Sequence, residues 1–439
     1  MKTKNIGLIL FISLVIKLFL ALLIPVFGDE SYYWFWGQHV QLSYFDHPAM
    51  VGWLTGLGSQ LDFLPKSLIV RWPFVILSTI SLFVFIRIVD RTTKNDSKIS
   101  GWLVAFYLLN PMLGFGGILA TPDVPLVFFW SLAYLLVLRI LEKQNIKDYI
   151  LLGACLGLGF CSKYHIVLFP LTIGLGFVWS KKYSEINLKK LIFTIFAGIL
   201  FSSPVLIWNY QNEWASMAFQ LSHGFQGRLY TPLWTITYIT GQVFLFNPFL
   251  MYQLIFKTKN LFPKNTAFLQ WSFFLISSFK AGVEANWPVA AHVQGLSSLQ
   301  PENNFRFFKY ALSYALLLWI VFFGFYFSGF GQEKIKKIPN MTIAEKIWPQ
   351  VESYKPLYGP TYQISSLLQL VSNKEVLKLN ELSRTDFYDS AIFQRPTQKV
   401  FYSLKYDISD WPEWLSQAQK TTVLKFPDYN MALYRIDHE

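Results

Sequence analysis

Apolar stretches of about 20 residues recur along the first three quarters of this 439-residue chain, and no other feature limits its fold so strongly. A stretch of that length crosses the ~30 Å hydrocarbon core of a bilayer as a helix. In hydrocarbon, only helices and closed barrels satisfy their own backbone polar groups. The segments near 6–27, 68–89, 100–119, 124–141, 149–161, 165–180, 191–208, 232–255, 266–280, 286–300 and 311–330 are candidate spans, about eleven in all. Charged residues make up 15% of the chain, too few to cover a soluble protein of this length. The chain reads as a polytopic α-helical membrane protein.

The net charge of +12 raises nucleic-acid binding, but its distribution excludes that class. Lys and Arg cluster in alternate loops, among them Arg87, Arg91, Lys94 and Lys98, then Lys181, Lys182, Lys189 and Lys190. The intervening loops carry Asp29, Glu30, Asp46, Asp62, Asp123, Glu213 and Glu284. The positive-inside rule places the basic loops in the cytoplasm and the acidic ones outside. Lys2 and Lys4 precede a long apolar stretch without a small-residue cleavage site, which suits an uncleaved first span. Lys17, midway along that span, is a buried cation to which the sequence assigns no role. Cys155 and Cys161 share one helix and imply no disulfide framework. In the same segment, Gly153 and Gly157 form a small-xxx-small pair suited to close helix packing.

Residues 1–331 read as one transmembrane domain whose outer loop, 28–67, suits short interfacial helices. The character changes after Gly331: 13 of the 26 Asp and Glu residues lie in this last quarter. Helical patterns at Ile343–Ser353 and Tyr362–Ser372, and β-like runs at Lys399–Leu404, Thr421–Phe426 and Ala432–Ile436, predict a small α/β domain over 332–439. An odd number of spans puts it on the outer face.

The candidate chemistry gathers at outer-face carboxylates and cations. Asp29 and Glu30 close the first span and run straight into Tyr32-Tyr33-Trp34-Phe35-Trp36. Acids where a span surfaces are costly and therefore functional candidates; capping of the next helix is the structural alternative. Asp123, at the start of another span, carries the same alternative. The few outer cations include Lys163, before Tyr164, Lys280, ahead of Glu284, Asn286 and Trp287, and Arg228. Cations beside carboxylates in apolar surroundings suit a lipid-phosphate substrate. His47 and His223 leave a divalent metal open, but no HxxxH or paired-Cys spacing supports one and no cofactor is required. Neither GxxxxGK[ST] nor GxGxxG occurs, which disfavours a nucleotide-driven pump.

Gly28-Asp29-Glu30-Ser31-Tyr32-Tyr33-Trp34 and Tyr44-Phe45-Asp46-His47-Pro48 resemble the DEAYYW…YFDHPP signature of bacterial membrane glycosyltransferases. These form the protein O-mannosyltransferase/aminoarabinose transferase branch of the glycosyltransferase-C superfamily. Thr121-Pro122-Asp123-Val124-Pro125, Ser162-Lys163-Tyr164 and Glu284-Ala285-Asn286-Trp287-Pro288 follow in the expected order. Ala49 departs from the family's second Pro. The resemblance implies a glycosyltransferase-C fold, a polyprenyl-phosphate-linked sugar donor, transfer at the outer face of the bacterial inner membrane, and inversion at the anomeric carbon. It maps the reacting carboxylate to Asp29 with Glu30 adjacent, outer-loop positions to Asp46 and His47, and phosphate contacts to Lys163 and Lys280, with Arg228 as an addition.

The expected reaction is a displacement in which Asp29 takes the acceptor's proton while the cations stabilise the leaving phosphate. A hydroxyl of an envelope glycolipid, lipid A or lipopolysaccharide core, is the first acceptor; protein Ser/Thr is the second. A transporter or flippase for a lipid-linked sugar is the reading from another class, and it would bring inverted repeats and mid-membrane charges.

Overall fold

The computed structural model describes residues 3–180, 185–225, 229–259, 261–300, 305–390, 393 and 395–438. These form two compact units. The first comprises Met1–Leu20, Gln41–Val51 and Arg71–Val321; the second comprises Ala21–Val40, Gly52–Val70 and Phe322–Glu439. This grouping differs from a boundary at 331, because the first outer helix joins the C-terminal residues through packing described below.

Helix occupies each of the eleven apolar segments, but fewer are long enough to cross a bilayer unaided. Among the described residues, five helices have the length and apolarity of a span: Asn5–Leu23, Lys66–Thr92, Asp123–Lys143, Leu188–Gln211 and Arg306–Phe327. Two bent pairs raise the number to seven. The others fall short for visible reasons. Ile146–Ser162 has 17 residues and opens on Lys147 and Asp148. Leu261–Ser277, also of 17, carries Lys264, Asn265 and Gln270. Val289–Ser298 has ten.

Both bends lie at Asn-Pro steps. Ser97–Leu109 meets Pro111–Ile118 at 66°, and Pro232–Phe246 meets Pro248–Phe256 at 94°. Proline removes a backbone donor and clashes with the preceding turn, while the asparagine repairs the broken ends. Asn110 Oδ1 accepts from the amides of Met112 (3.0 Å) and Leu113 (3.1 Å), and its Nδ2 donates to the Leu245 carbonyl at 3.1 Å. Asn247 Oδ1 accepts from Phe249 N at 3.1 Å, and its Nδ2 donates to the Ala311 carbonyl at 2.8 Å. Asn247 has φ 92°, a left-handed value that Asn tolerates better than most residues. Irregular backbone survives at membrane depth only where it is satisfied in this way.

Close helix packing in the first unit depends on glycine. A Cβ on Gly153 would stand 2.2 Å from the Thr194 carbonyl oxygen, and one on Gly157 2.6 Å from that of Gly198. Bare backbone at these positions is what lets Ile146–Ser162 pack on Leu191–Gln211.

The second unit is an α/β fold. We number its elements α1 (Gly28–Gln38), α2 (Met341–Val351), β1 (Leu357–Gly359), α3 (Tyr362–Ser372), β2 (Leu377–Lys378), β3 (Val400–Tyr406), β4 (Gln419–Phe426) and β5 (Met431–Asp437). The sheet order is β2-β1-β3-β5-β4, with β1 parallel to both neighbours and β5 antiparallel to β3 and β4. Ile343, Ile347, Leu367, Leu368, Leu404 and Leu433 belong to the core that α2 and α3 share with the sheet.

α1 joins this unit by backbone pairing and by aromatic packing. Gly28 N donates to the Pro339 carbonyl at 2.9 Å and Met341 N to the Val26 carbonyl at 2.8 Å. A Cβ on Gly28 would lie 2.6 Å from Gln363 Cβ, so glycine allows α1 to sit on α3. The ring of Tyr32 lies 4.4 Å from that of Tyr362, and Phe35 stacks on Tyr388 at 4.2 Å. Tyr32, Tyr33, Trp34, Phe35 and Trp36 are all at most 9% exposed. The aromatic run expected to lie along the interface is instead a buried helix, because its rings have protein partners.

The glycine contact predicts that Gly153→Ala destabilises the protein by about 1–3 kcal/mol through overpacking. Gly174→Ala, where a Cβ meets nothing within 4 Å, is the matched control. Thermal unfolding in detergent reads the difference, and equal melting temperatures would contradict the account.

Candidate active site

Two clusters of the expected residues form, one in each unit. In the first unit, Asp123 opens the helix Asp123–Lys143, but its side chain makes no cap. Both carboxylate oxygens reach across to other segments. Lys163 Nζ donates to Oδ1 at 2.7 Å and Asn286 Nδ2 to Oδ2 at 2.7 Å. Capping, the structural alternative for Asp123, is therefore not its role. Lys163 sits where Ile146–Ser162 ends, with extended backbone, and is 4% exposed. An ammonium so deeply buried requires a counter-charge, and Asp123 supplies it. An ammonium has three donors, and the Asp123 bond takes one.

Around this pair lie two cavities. One, of about 220 Å³, has Asp123 and Asn286 in its wall together with Ser78, Ser81, Tyr107 and Thr121. The other, of about 280 Å³, is largely apolar and is lined by Tyr164, His165, Leu168, Met217, Phe274 and Trp287 among others. Tyr164 is fixed at its edge: its hydroxyl accepts from Asn209 Nδ2 and donates to Ser216 Oγ, both at 3.0 Å. The Trp287 ring lies 5.7 Å from His165. Asp46 is buried at 5%. Gln220 Nε2 donates to the Asp46 carbonyl and lies 3.4 Å from His47 Nδ1. Lys280 and Glu284 are exposed, on the turn between Leu261–Ser277 and Val289–Ser298. Arg228 and the side chain of His223 lie outside the described residues. Among those described, no three His, Cys, Asp or Glu side chains gather as a metal site.

In the second unit, the two adjacent acids divide their roles. Glu30 is 2% exposed, and its Oε2 accepts from Phe27 N at 3.0 Å, which satisfies a donor at the start of α1. Asp29 is exposed. Its Oδ1 accepts from the Tyr362 hydroxyl at 3.1 Å and from Gln363 Nε2 at 3.0 Å. Burial, the Asp29 charge and the hydrogen bond to it hold the Tyr362 hydroxyl above its ordinary pKa, against the opposing pull of Arg384. Tyr362 therefore stays a donor at neutral pH. The Arg384 guanidinium lies over the Tyr362 ring at 4.6 Å. Tyr32 is buried, and its hydroxyl accepts from Phe387 N at 2.8 Å. Lys378, 1% exposed, pairs with Asp386 at 2.7 Å and with Asp389, which fixes the turn carrying Phe387 and Tyr388.

The partners of Asp29 lie more than 330 positions away. Nothing local in the sequence ties Tyr362, Gln363 or Arg384 to a carboxylate at position 29. Asn209, Ser216 and Gln220 carried no signal.

The model of the family described as dolichyl-phosphate-mannose-protein mannosyltransferase matches residues 46–208, a range that holds Asp46, His47, Asp123, Lys163 and Tyr164. The lipid A galacturonosyltransferase RgtD of Rhizobium johnstonii is 22% identical over 293 residues. That alignment covers 61% of this chain and 59% of the relative, so the chain spans less than two thirds of the relative's length. The crystal structure of ArnT from Cupriavidus metallidurans in the apo state superposes with a TM-score of 0.68 at 12% identity, covering 98% of each chain. The form of that protein bound to undecaprenyl phosphate gives 0.65 at 12% identity, over 99% of this chain and 98% of that one. The chain is thus similar to membrane glycosyltransferases over residues 46–208 and along the RgtD alignment. Its fold is of the glycosyltransferase-C type, multi-pass, with a small C-terminal sheet domain. The ion pair Asp123–Lys163 lies within the range that the family model matches, whereas Asp29 precedes it.

Removing one partner of that pair should be costly. Lys163→Met leaves the Asp123 charge with Asn286 alone and is expected to destabilise by about 3–5 kcal/mol. Adding Asp123→Asn should recover much of that loss. Additive effects in the double-mutant cycle would show that the two side chains are not energetically coupled.

Proposed function

We propose that the protein is an inverting glycosyltransferase that moves a sugar from a polyprenyl-phosphate donor to a hydroxyl of lipid A or lipopolysaccharide core. Transfer takes place at the periplasmic face of the bacterial inner membrane. The observation that carries this reading is the division between Glu30 and Asp29: one carboxylate is consumed by the helix cap, the other is exposed and held by two neutral donors. An oriented, accessible carboxylate is what proton removal from an acceptor hydroxyl requires. RgtD, by its name, acts on lipid A, and ArnT, by its title, binds undecaprenyl phosphate; both support the choice of substrates.

In the proposed mechanism, the acceptor oxygen attacks the anomeric carbon as its proton passes to Asp29. The bond from that carbon to the phosphate oxygen breaks, and the electron pair leaves with the polyprenyl phosphate. Lys163, held in place by Asp123, stabilises the charge that develops on the departing phosphate. Lys280 and Arg228 are further candidates for that task. The apolar cavity lined by Tyr164 and Trp287 suits the first isoprene units of the donor. Tyr32 and Tyr33 support α1, and through it Asp29, rather than touching substrate. Glu284, Asp46 and His47 border the substrate path.

A second reading, transfer to protein Ser or Thr, has one observation in its favour: the matched family is described as a protein mannosyltransferase. The chemistry at the anomeric carbon is the same.

Asp29→Asn keeps both hydrogen-bonding neighbours but removes the base. It should lower kcat by about 10²–10⁴ with the fold intact, measured with labelled undecaprenyl-phosphate sugars and a lipid A extract. Turnover near that of the wild type would remove Asp29 from the role, and label entering protein instead of lipid would favour the second reading.

A further inference from the structure

The spans Asn5–Leu23 and Arg306–Phe327 bring their C-terminal ends to one cavity of about 340 Å³, which belongs wholly to the second unit. The span ends contribute Leu22, Leu23 and Tyr326 to its wall, and the residues beyond them contribute Gln332, Lys336 and Lys346. The mechanism above makes no use of this cavity. Its lysines also depart from the charge pattern of the chain. Arg306 and Lys309 open the span Arg306–Phe327, and Lys334, Lys336 and Lys337 follow the same span at its other end. Cations that orient a span gather on one side of the membrane, so orientation does not account for this second group.

Lys334 lies over the Phe330 ring at 5.3 Å. Among the described residues the ammonium groups of Lys336 and Lys346 have no ion pair and no hydrogen bond, and both side chains are exposed. Glu333 and Glu345, the acids of the same segments, are not in the wall. The loop that joins Lys336 to α2, and so to Lys346, is pinned by Asn340, which is 1% exposed. Asn340 Nδ2 donates to the Ile335 and Ile338 carbonyls at 3.0 and 2.7 Å, and its Oδ1 accepts from Thr342 N at 3.0 Å. Leu22 and Leu23 stay 46% and 39% exposed. Exposed aliphatic groups beside two uncommitted cations suit a lipid with an anionic headgroup rather than a soluble phosphate. The cavity also adjoins the start of α1. Ile24 and Pro25 line it, Met341 N donates to the Val26 carbonyl at 2.8 Å, and Asp29 stands in the first turn of α1.

We infer that this cavity docks the acceptor lipid by a phosphate on its headgroup, with Lys336 and Lys346 meeting the anion and Leu22 and Leu23 its apolar part. The inference rests on the proposed transfer to a lipid and assigns the feature by which the acceptor is held, a phosphomonoester on the headgroup sugar. Lysine meets phosphate as a point charge, and two lysines from different segments confine it from two sides. A lipid held there has its headgroup beside the start of α1, the helix that carries Asp29. A neutral lipid leaves both ammonium groups unmatched, and a protein acceptor brings neither the phosphate nor the acyl chain.

The test measures binding of lipid A and of phosphatase-treated lipid A to the full-length protein in phosphatidylcholine nanodiscs. The wild type should bind the phosphorylated lipid about 10-fold more tightly, as expected of two lysines at a membrane surface. The double variant Lys336→Gln/Lys346→Gln should bring the two affinities to within about 2-fold of each other. Lys399→Gln/Lys425→Gln, which removes two exposed lysines elsewhere in the unit, should keep the wild-type preference. In turnover with a labelled undecaprenyl-phosphate sugar, the first variant should raise the KM for lipid A about 10-fold and leave the KM for the donor unchanged. Equal affinities in the wild type overturn the inference and leave the transferase reading standing, and so does a first variant that keeps the preference. An equal loss in the Lys399/Lys425 pair shows diffuse attraction and overturns it as well. Phosphatidylglycerol competing as strongly as lipid A assigns the cavity to a resident bilayer lipid and removes the acceptor from it. Selective binding without sugar transfer to lipid A overturns the acceptor in the proposed function and this inference with it.

Discussion

A polar group carried into an apolar interior is costly without a partner, and much of the structure follows from how this chain supplies partners to its asparagines and charged side chains. Water cannot supply the missing bonds at membrane depth. The two Asn-Pro breaks exist because Asn110 and Asn247 bond the loosened turns with their own side chains. Asp123 and Lys163 are held by the same rule, since each would be costly alone. Asn286 completes the set by taking the second carboxylate oxygen. The result is a rigid polar knot between segments far apart in sequence, bordered by a cavity on the side of Thr121 and Ser78. Lys17 keeps to the same rule with a neutral partner, donating to Ser78 Oγ at 2.9 Å.

Much of the fold was legible in the sequence. Apolar segment length located the helices, and alternation located the three long strands β3, β4 and β5, with α3 falling on the predicted Tyr362–Ser372. These are local patterns of period 3.6 or 2, and sequence reports them directly. What it did not report was contact at long range. Tyr32 through Trp36 carry the composition of an interfacial belt, yet all five are buried, and the rings of Tyr32 and Phe35 lie against Tyr362, Tyr388 and Phe393, more than 300 positions on. Likewise, the bends at residues 110 and 247 are invisible to a hydropathy average that continues smoothly across them, although Asn-Pro is a local warning.

The candidate site was legible in part for the same reasons. Motif order brought out Asp29, Asp123, Lys163 and Asn286. It could not tell a capping carboxylate from a reactive one, because Asp29, Glu30 and Asp123 all stand at helix starts. Geometry separates them. Glu30 alone bonds to its own helix start, Asp123 is paired with a lysine, and Asp29 is exposed beneath two donors from α3.

The central claim is a single displacement at the anomeric carbon with a membrane lipid as acceptor, and the configuration of the product tests it most directly. Wild-type protein would be incubated with an undecaprenyl-phosphate sugar of known anomeric configuration and purified lipid A. The glycosidic linkage in the recovered lipid would then be assigned from its one-bond carbon–proton coupling. The account predicts a glycosylated lipid A whose anomeric centre is inverted relative to the donor. A retained configuration would contradict direct displacement and point to a covalent sugar–enzyme intermediate, and an unmodified lipid A would contradict the acceptor.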